Sequence, residues 1–254
     1  MLVAMPDLSP FPVVLELAGW TLLWARLELA ADPQPTVPTA PAAADLAELR
    51  RRSAARARSR FALAQLPEDA TVAAVRALFR AAGCDPTRYR PSSEALLRRV
   101  LKGEELPAIQ PLVDLNNCLS MDLAVPCSVA AEGSFAPPVT LRAGRPGEAF
   151  ASLRGPFHLE GKPLLADAEG PFSTPITDSQ RIKVQEDTRR AWLVAYLPAA
   201  APTPAQALAS LETLLRDLPL ARLEMAGTAG TADAAGEAGM AGAAGTAGTA
   251  GAAG

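Results

Sequence analysis

The spacing of apolar residues in the first half of the chain changes from strand-like to helical. Residues 12–29, PVVLELAGWTLLWARLEL, carry two apolar runs that meet at Gly19, which predicts two short strands. Apolar positions then recur every three or four residues, which is typical of amphipathic helices. This spacing predicts helices over residues 67–83, 91–101 and 106–123, and a further helical run without a clean apolar stripe is expected over residues 45–66.

The second half of the chain has the pattern of a β structure. From about Val125 to Leu197, short apolar runs such as PVTLRAG and RAWLVAYL alternate with Gly and Pro turns. That alternation predicts an antiparallel sheet or sandwich, and residues 203–218 predict a closing amphipathic helix. The expected fold class is therefore α+β, with N-terminal helices packed on a β-rich, sandwich-like half.

Two segments depart from this globular pattern. Residues 31–44 are rich in proline and predict an extended loop or linker, because proline cannot complete a ladder of backbone hydrogen bonds. Residues 223–254 are mainly Ala, Gly and Thr, and a segment so poor in large apolar residues predicts a disordered tail. Residues 1–222 are thus expected to form a single domain.

Positive charge is concentrated within a chain whose net charge is −3. The segment from Arg50 to Lys102 holds 13 Lys or Arg residues against 4 acidic ones. Such a block suits a surface that binds a polyanion, but it is also compatible with solvated helix faces. The arginines between 50 and 60 lie on nearly every side of a helical wheel, so that helix is either largely exposed or meets an anionic partner.

The cysteine and histidine content argues against a metal site. Three cysteines show no C-x-x-C spacing, and zinc would need all three together with the single histidine, His158. We therefore expect no cofactor, and free thiols in a reducing cytoplasm. His158 lies in GPFHLEGK, the pattern of an exposed turn between strands. The N-terminus lacks a basic lead-in, and charged residues interrupt its apolar run, so neither a secretory signal nor a membrane span is expected.

Three strings in the order DPTRYRPSSEALLRRVLKGEELP, PLVDLNNCLSM and DSQRIKVQEDTRRAWLVAYL resemble the B-three/B-four tRNA-editing domain of the phenylalanyl-tRNA synthetase β subunit. The chain is more similar still to freestanding bacterial proteins made of that domain alone. The resemblance extends over residues 11–218. It implies a trans-acting deacylase that binds the acceptor end of tRNA and hydrolyses a mischarged aminoacyl ester, with no role for DNA or a membrane. The chain is too short to contain a full synthetase.

The implied reaction makes modest chemical demands. An aminoacyl ester is already activated, so the site has to bind the tRNA end, hold a water in line and stabilise an oxyanion. Fixed donors and one polar side chain could suffice without a metal. Four arginines are candidate phosphate contacts: Arg88, Arg90, Arg98 and Arg99. Arg88 and Arg90 could instead brace neighbouring carboxylates such as Asp85 and Glu94.

Five further residues are candidates for the site itself. Asn116 and Asn117 are predicted to bind the substrate, although both could instead close hydrogen bonds at the end of a helix. Asp178, Ser179 and Gln180 are the catalytic candidates, able to orient water or the substrate amine. Gln180 stands near the position where the family resembled carries a glutamate that senses a tyrosine hydroxyl, so tyrosine specificity does not carry over. A tRNA-binding module without chemistry and an amino-acid-binding protein are the alternative functions.

Overall fold

The computed structural model describes residues 9–29 and 40–230. Within these residues the chain forms five α-helices: α1 Ala40–Arg60, α2 Ala70–Ala81, α3 Ser92–Leu101, α4 Pro111–Leu123 and α5 Pro204–Asp217. The strands are β1 Val13–Leu15, β2 Trp20–Leu29, β3 Cys127–Ala131, β4 Val139–Ala143, β5 Ala149–Ser152, β6 Gly155–His158, β7 Pro163–Asp167, β8 Gly170–Ser173, β9 Arg190–Pro198 and β10 Ala221–Gly230. This arrangement confirms the predicted α+β class.

The strands form two four-stranded sheets and a hairpin. One sheet has the order β10-β2-β9-β3 and is antiparallel throughout. The other has the order β1-β4-β7-β8, in which only the β1–β4 pairing is parallel. Strands β5 and β6 pair by themselves. Gly19 adopts a φ of +82° between β1 and β2, a conformation that favours glycine and lets the chain pass from one sheet to the other.

Local sequence signals explain where the helices begin. The Asp69 carboxylate accepts hydrogen bonds from the backbone N–H groups of Thr71 and Val72 and so caps α2. Thr203 and Gln206 form a reciprocal capping box at the start of α5. Each cap satisfies backbone donors that have no partner inside the first helical turn.

One large hydrophobic core lies between the helices and the two sheets. Trp20 and Trp24 on β2 are each 1% exposed, and Tyr196 on β9 is fully buried beside Trp20. Helices α2, α4 and α5 pack against the β10-β2-β9-β3 sheet, while Phe172 on β8 joins the same core from the second sheet. Burial of these large side chains is the main stabilising contribution to the fold.

The structure corrects two predicted boundaries. Residues 221–230, part of which was predicted to belong to the disordered tail, form strand β10 and pair with β2 along its length. Ala226 and Ala229 are buried on this strand, so small residues are sufficient where the neighbouring strand supplies Trp24 and Leu22. Helix α1 begins at Ala40, within the predicted proline-rich linker. The rest of that linker, up to residue 39, and residues 231–254 lie outside the described residues.

No helix among the described residues is long and apolar enough to cross a membrane.

Candidate functional site

A cavity of about 830 Å³ opens between the helical half and the β half of the protein. Its walls come from the start of α3, one side of α4, strand β3 and the two segments that follow β8, residues 174–179 and 182–187. Both halves of the motif pattern, near residues 92–117 and 178–187, therefore border one concave site. This volume lies within the range of small-molecule pockets.

Asp178 is the carboxyl group whose pKa this site alters most. The hydroxyl groups of Ser128 and Ser173 donate to its Oδ1 atom over 2.7 and 2.6 Å. Oδ2 receives no hydrogen bond from the described residues. Burial disfavours the charged form and raises the pKa of Asp178 to about 6, although the two serine hydroxyls oppose that effect. The carboxyl group can therefore exchange a proton near neutral pH.

The serines that hold Asp178 belong to a wider buried network. The Ser173 hydroxyl also lies 3.2 Å from the Ser128 hydroxyl and 2.8 Å from the Tyr196 hydroxyl. Burial raises the pKa of Tyr196 well above its usual value, so its phenol keeps its proton. Sequence reasoning missed Ser128, Ser173 and Tyr196 because only the pairing of β3, β8 and β9 with their neighbours brings them to Asp178.

The other two catalytic candidates have different positions. Ser179 lines the cavity, but its hydroxyl accepts the backbone N–H of Arg181 and caps a short 3₁₀ turn. Gln180 does not line the cavity. The same turn directs its side chain to β5, where Nε2 donates to the carbonyl oxygen of Ser152 over 3.0 Å. Gln180 is therefore held at β5, outside the cavity that Asp178 and Ser179 line.

Both asparagines of α4 line the cavity, and Asn116 has an unusual environment. Its side-chain Nδ2 donates to the carbonyl oxygen of Cys127 over 3.3 Å, which fixes the orientation of the amide. Asn116 is only 6% exposed, yet its Oδ1 atom accepts no hydrogen bond from the described residues. An unpaired buried acceptor is costly, so Asn116 is not explained by closure of the helix end.

The remaining wall of the cavity is aliphatic, with charges at its rim. The apolar lining consists of Ile109, Val113, Val129, Leu153, Ile176, Ile182 and Val184. Ile109 and Leu153 are 61% and 64% exposed, and they are two of the four large apolar side chains exposed among the described residues. The exposed side chains of Lys183, Glu186 and Asp187 complete the rim.

The four arginines predicted to contact phosphate are largely engaged within the protein. Arg98 contacts the buried carboxylate of Glu94 at 2.8 Å, and Arg90 approaches the same group at 3.5 Å. Arg99 donates to the Glu105 carbonyl oxygen over 2.7 Å. Arg88 forms no ion pair with any described residue and lies 5.1 Å from the centre of the Tyr89 ring. The bracing alternative therefore describes Arg90, through Glu94, and does not describe Arg88.

The arginines of α1 are likewise paired with acidic side chains. Arg50 pairs with Asp114 on α4, and Arg56 contacts Asp122 on the same helix at 2.6 Å. This helix thus packs against α4 with part of its charge neutralised. His158 is an exposed residue at the end of β6 and does not line the cavity. Among residues 9–29 and 40–230, no group of three or more His, Cys, Asp or Glu side chains could hold a metal ion.

These features define an α+β domain with a pocket between its helical and β halves. The floor of this pocket is polar, and its walls are aliphatic. The B3/4 domain family model matches residues 74–208, which is more than half of the chain, and the chain belongs to this family. This finding confirms the family predicted from the motifs.

One similar solved structure is an N-terminal fragment of the phenylalanyl-tRNA synthetase β subunit from Pyrococcus horikoshii. The two share 15% sequence identity with a TM-score of 0.41, over 88% of this chain and 53% of that chain. The chain thus spans about half the length of that fragment. No curated protein matches the sequence.

Proposed function

We propose that this B3/4 domain protein is a trans-acting deacylase that hydrolyses mischarged aminoacyl-tRNA. Membership of the family supports a tRNA-related role. The observation that carries the catalytic part is the Asp178 carboxyl group, which lines the pocket, has a pKa of about 6 and has no partner for Oδ2 among the described residues. A general base works best when its pKa lies near the operating pH.

The proposed reaction is a single hydrolysis. A water bound at Oδ2 of Asp178 attacks the carbonyl carbon of the aminoacyl ester, and its proton passes to the carboxylate. The bond between that carbon and the ribose oxygen of the terminal adenosine then breaks, and the proton is delivered to the ribose oxygen. Free amino acid and uncharged tRNA are the products, and no metal or external reagent is needed to balance the step.

Ser128 and Ser173 have a positioning role in this proposal. Their two hydroxyl groups bond Oδ1, which restricts rotation of the carboxyl group and keeps Oδ2 oriented towards the pocket. The Tyr196 hydroxyl in turn orients Ser173. Supporting hydrogen bonds of this kind hold a catalytic group in its productive geometry.

Two exposed basic residues are candidates for contacts with the tRNA backbone. Lys183 lies on the rim, and Arg88 is free of ion pairs with the described residues. Each phosphate contact makes binding more sensitive to salt. Arg88→Ala is therefore expected to weaken tRNA binding and to reduce the salt dependence by about one counterion. Arg98→Ala is expected to destabilise the fold instead, since it removes a partner of buried Glu94.

Incubation with a panel of mischarged tRNAs tests the proposal. The protein should shorten the lifetime of at least one aminoacyl ester, and Asp178→Asn should abolish that effect while tRNA binding persists. Ser134→Ala is a suitable control, because that hydroxyl closes a turn after β3 and does not line the pocket. Ester lifetimes equal to those in buffer across the whole panel would exclude the deacylase, even if salt-sensitive tRNA binding remained.

A second candidate function, amino-acid binding without RNA, is favoured by the distribution of charge around the pocket. Glu186 and Asp187 stand on the pocket rim, and three of the four predicted phosphate-binding arginines already contact protein acceptors. Both features weaken attraction for a polyanion. This function predicts thermal stabilisation by free amino acids and no shift of tRNA in a native gel.

A further inference from the structure

The environment of Asn116 specifies what kind of group the pocket floor can receive. Its Oδ1 atom is a buried hydrogen-bond acceptor without a partner among the described residues, and it belongs to a side chain that lines the pocket. The opposite end of the amide is held by the Cys127 carbonyl oxygen, so the donor that satisfies Oδ1 has to come from a bound water or from a ligand. A ligand group that takes the place of such a water must carry an N–H or O–H.

Asn116 and Asp178 are anchored to consecutive residues of β3. Asn116 bonds the carbonyl oxygen of Cys127, and Asp178 accepts from the hydroxyl group of Ser128. The neutral acceptor Oδ1 of Asn116 and the carboxyl group of Asp178 therefore lie at the same end of the pocket. A positively charged donor at Asn116 Oδ1 would also be attracted by the nearby Asp178 carboxylate, whose Oδ2 remains with the water of the proposed hydrolysis, whereas a neutral hydroxyl would gain no such attraction.

The charged side chains that line the pocket also favour a cationic ligand group. Three acidic side chains line the pocket, Asp178, Glu186 and Asp187, against one basic side chain, Lys183. Lys183, Glu186 and Asp187 are all exposed at the rim, so among the described residues Asp178 is the charged side chain of the floor. The pocket thus favours a cationic group over an anionic one.

The aliphatic wall specifies the other end of the ligand. Val129 and Val184 are each 6% exposed, and Val113 and Ile176 are partly buried beside them. None of these side chains can donate or accept a hydrogen bond. A polar ligand side chain placed against them would lose its bonds to water without replacement.

We propose that the pocket recognises amino-acid esters with a free α-ammonium group and an uncharged aliphatic side chain, with Asn116 Oδ1 accepting from the ammonium. This inference rests on the proposed function and narrows its substrate class. Asn116 is here a specificity-determining residue, while the hydrolytic step remains with Asp178. Substrates with an acylated amino group are excluded, because they lack the charge and place an acyl carbonyl beside two acceptors.

Stable amide analogues test the inference on the intact protein by titration calorimetry. Leucinamide carries the ammonium, N-acetyl-leucinamide lacks it, and 2-hydroxy-4-methylpentanamide replaces it by a neutral hydroxyl. We expect leucinamide to bind about ten- to a hundredfold more tightly than either analogue, as for a charge-assisted hydrogen bond. Asparaginamide, similar in size to leucinamide, should bind about tenfold more weakly because its amide meets the aliphatic wall.

A variant adds a readout that a purely structural role would not produce. Asn116→Leu removes the unpaired acceptor and keeps a side chain of similar size, so we expect a folded protein whose preference for leucinamide over N-acetyl-leucinamide is lost. Equal binding of these two ligands to the unmodified protein would overturn the ammonium assignment, as would a failure of leucinamide to bind. Equal binding of asparaginamide would overturn the aliphatic part.

The same probes separate this inference from the deacylase proposal. Hydrolysis of aminoacyl-tRNA and N-acetyl-aminoacyl-tRNA at equal rates would refute the ammonium requirement and leave the deacylase intact. Amine-selective binding of leucinamide with no hydrolysis of any tRNA ester would refute the deacylase and leave the recognition intact.

Discussion

Replacement of Asp178 by asparagine should stabilise the protein at neutral pH while abolishing hydrolysis. The side chains are nearly equal in size, and the amide Oδ1 atom can accept the hydroxyl groups of Ser128 and Ser173 as the carboxylate does. The variant therefore preserves the network but removes the ionisable group. Its stability then measures what the charged carboxylate costs the fold.

The magnitude follows from the pKa of Asp178, which rises from 3.8 to about 6 on burial. Each pKa unit corresponds to about 1.4 kcal/mol, so the ionised carboxylate costs about 3 kcal/mol. Below pH 3.8 both the folded and unfolded states hold the proton, and the two proteins should be equally stable. Between pH 3.8 and 6 the unfolded state loses its proton first, so the unmodified protein loses stability as pH rises. Above about pH 6 the difference is constant.

Urea unfolding of both proteins at several pH values between 4 and 8 provides the assay. The free energy of unfolding of Asp178→Asn should exceed that of the unmodified protein by about 3 kcal/mol at pH 7.5, with a melting temperature about 6–12 °C higher. The difference should shrink steadily towards pH 4. Hydrolysis should fall by about 10²–10⁴-fold if the carboxylate is the general base.

Asp85→Asn is the matched control, because the Thr87 backbone N–H lowers the pKa of the exposed Asp85 carboxyl. That variant should lose stability relative to the unmodified protein as pH rises, the opposite sign to Asp178→Asn. A pH-independent difference for Asp178→Asn, or a less stable variant at pH 7.5, would refute the argument that burial controls this carboxyl group.

Three other predictions concern the stability and reactivity of the fold. Glu94→Gln should reduce the free energy of unfolding by about 3 kcal/mol, because the buried Glu94 carboxylate is the shared counter-charge of the partly exposed Arg76 and Arg98. Glu48→Gln on the surface of α1 should have a much smaller effect. Similar urea midpoints for the two variants would contradict this. Gly144→Ala should reduce the free energy of unfolding by about 3 kcal/mol or more, since its Cβ would lie 1.9 Å from the Leu159 carbonyl oxygen. Gly147→Ala, with open space around the Cβ but a φ of +78°, should reduce it by about 1–2 kcal/mol. Equal reductions in urea unfolding would show that close approach at Gly144 is not the cause. Burial raises the pKa of all three thiols, to about 11 for Cys84 and about 12 for Cys118. A disulfide reagent at pH 8 should therefore modify the cysteines only after unfolding. Rapid reaction of the native protein would contradict the burial of Cys84, Cys118 and Cys127.

Elements with strong local signals were predictable from the sequence. The helical spacing within residues 67–83 and 203–218 carries both an apolar face and end signals, and these segments form α2 and α5. Strand β10 was missed because its pattern, ARLEMAGTAG, has few large apolar residues. Its pairing with β2 supplies the tertiary context that the local sequence lacks.

The interpretation of the charge pattern depended on contacts that sequence reasoning did not identify. The basic block suggested a polyanion-binding surface, yet Arg50 and Arg56 find their partners on α4, 64 and 66 residues away. Glu94 is buried where three arginines converge, two of them one helical turn away and the third, Arg76, on α2. A count of charges cannot distinguish a solvated arginine from one that pairs across two helices.

The site was only partly predictable for a related reason. Asp178, Asn116 and Asn117 were identified through the resemblance, and all three line the pocket. Gln180 directly follows the pocket-lining residues Asp178 and Ser179, but the 3₁₀ turn that Ser179 caps directs its side chain to Ser152. A single turn thus decides which of three consecutive polar residues can reach a ligand, and residue type alone does not specify it.

The pocket retains two groups that weaken the fold, and their coincidence is the strongest reason to regard it as the functional site. Asn116 keeps a buried acceptor that no residue of the described part of the chain satisfies, and Asp178 keeps an ionisable group where burial opposes its charge. Either residue could be replaced by a neutral or apolar side chain of similar size at a gain in stability. Of the other buried side-chain atoms without a partner among the described residues, on Ser9, Trp24 and Arg26, none lines this cavity. Local departures from the most stable arrangement are expected at functional sites, and here two of them face the same space from opposite walls.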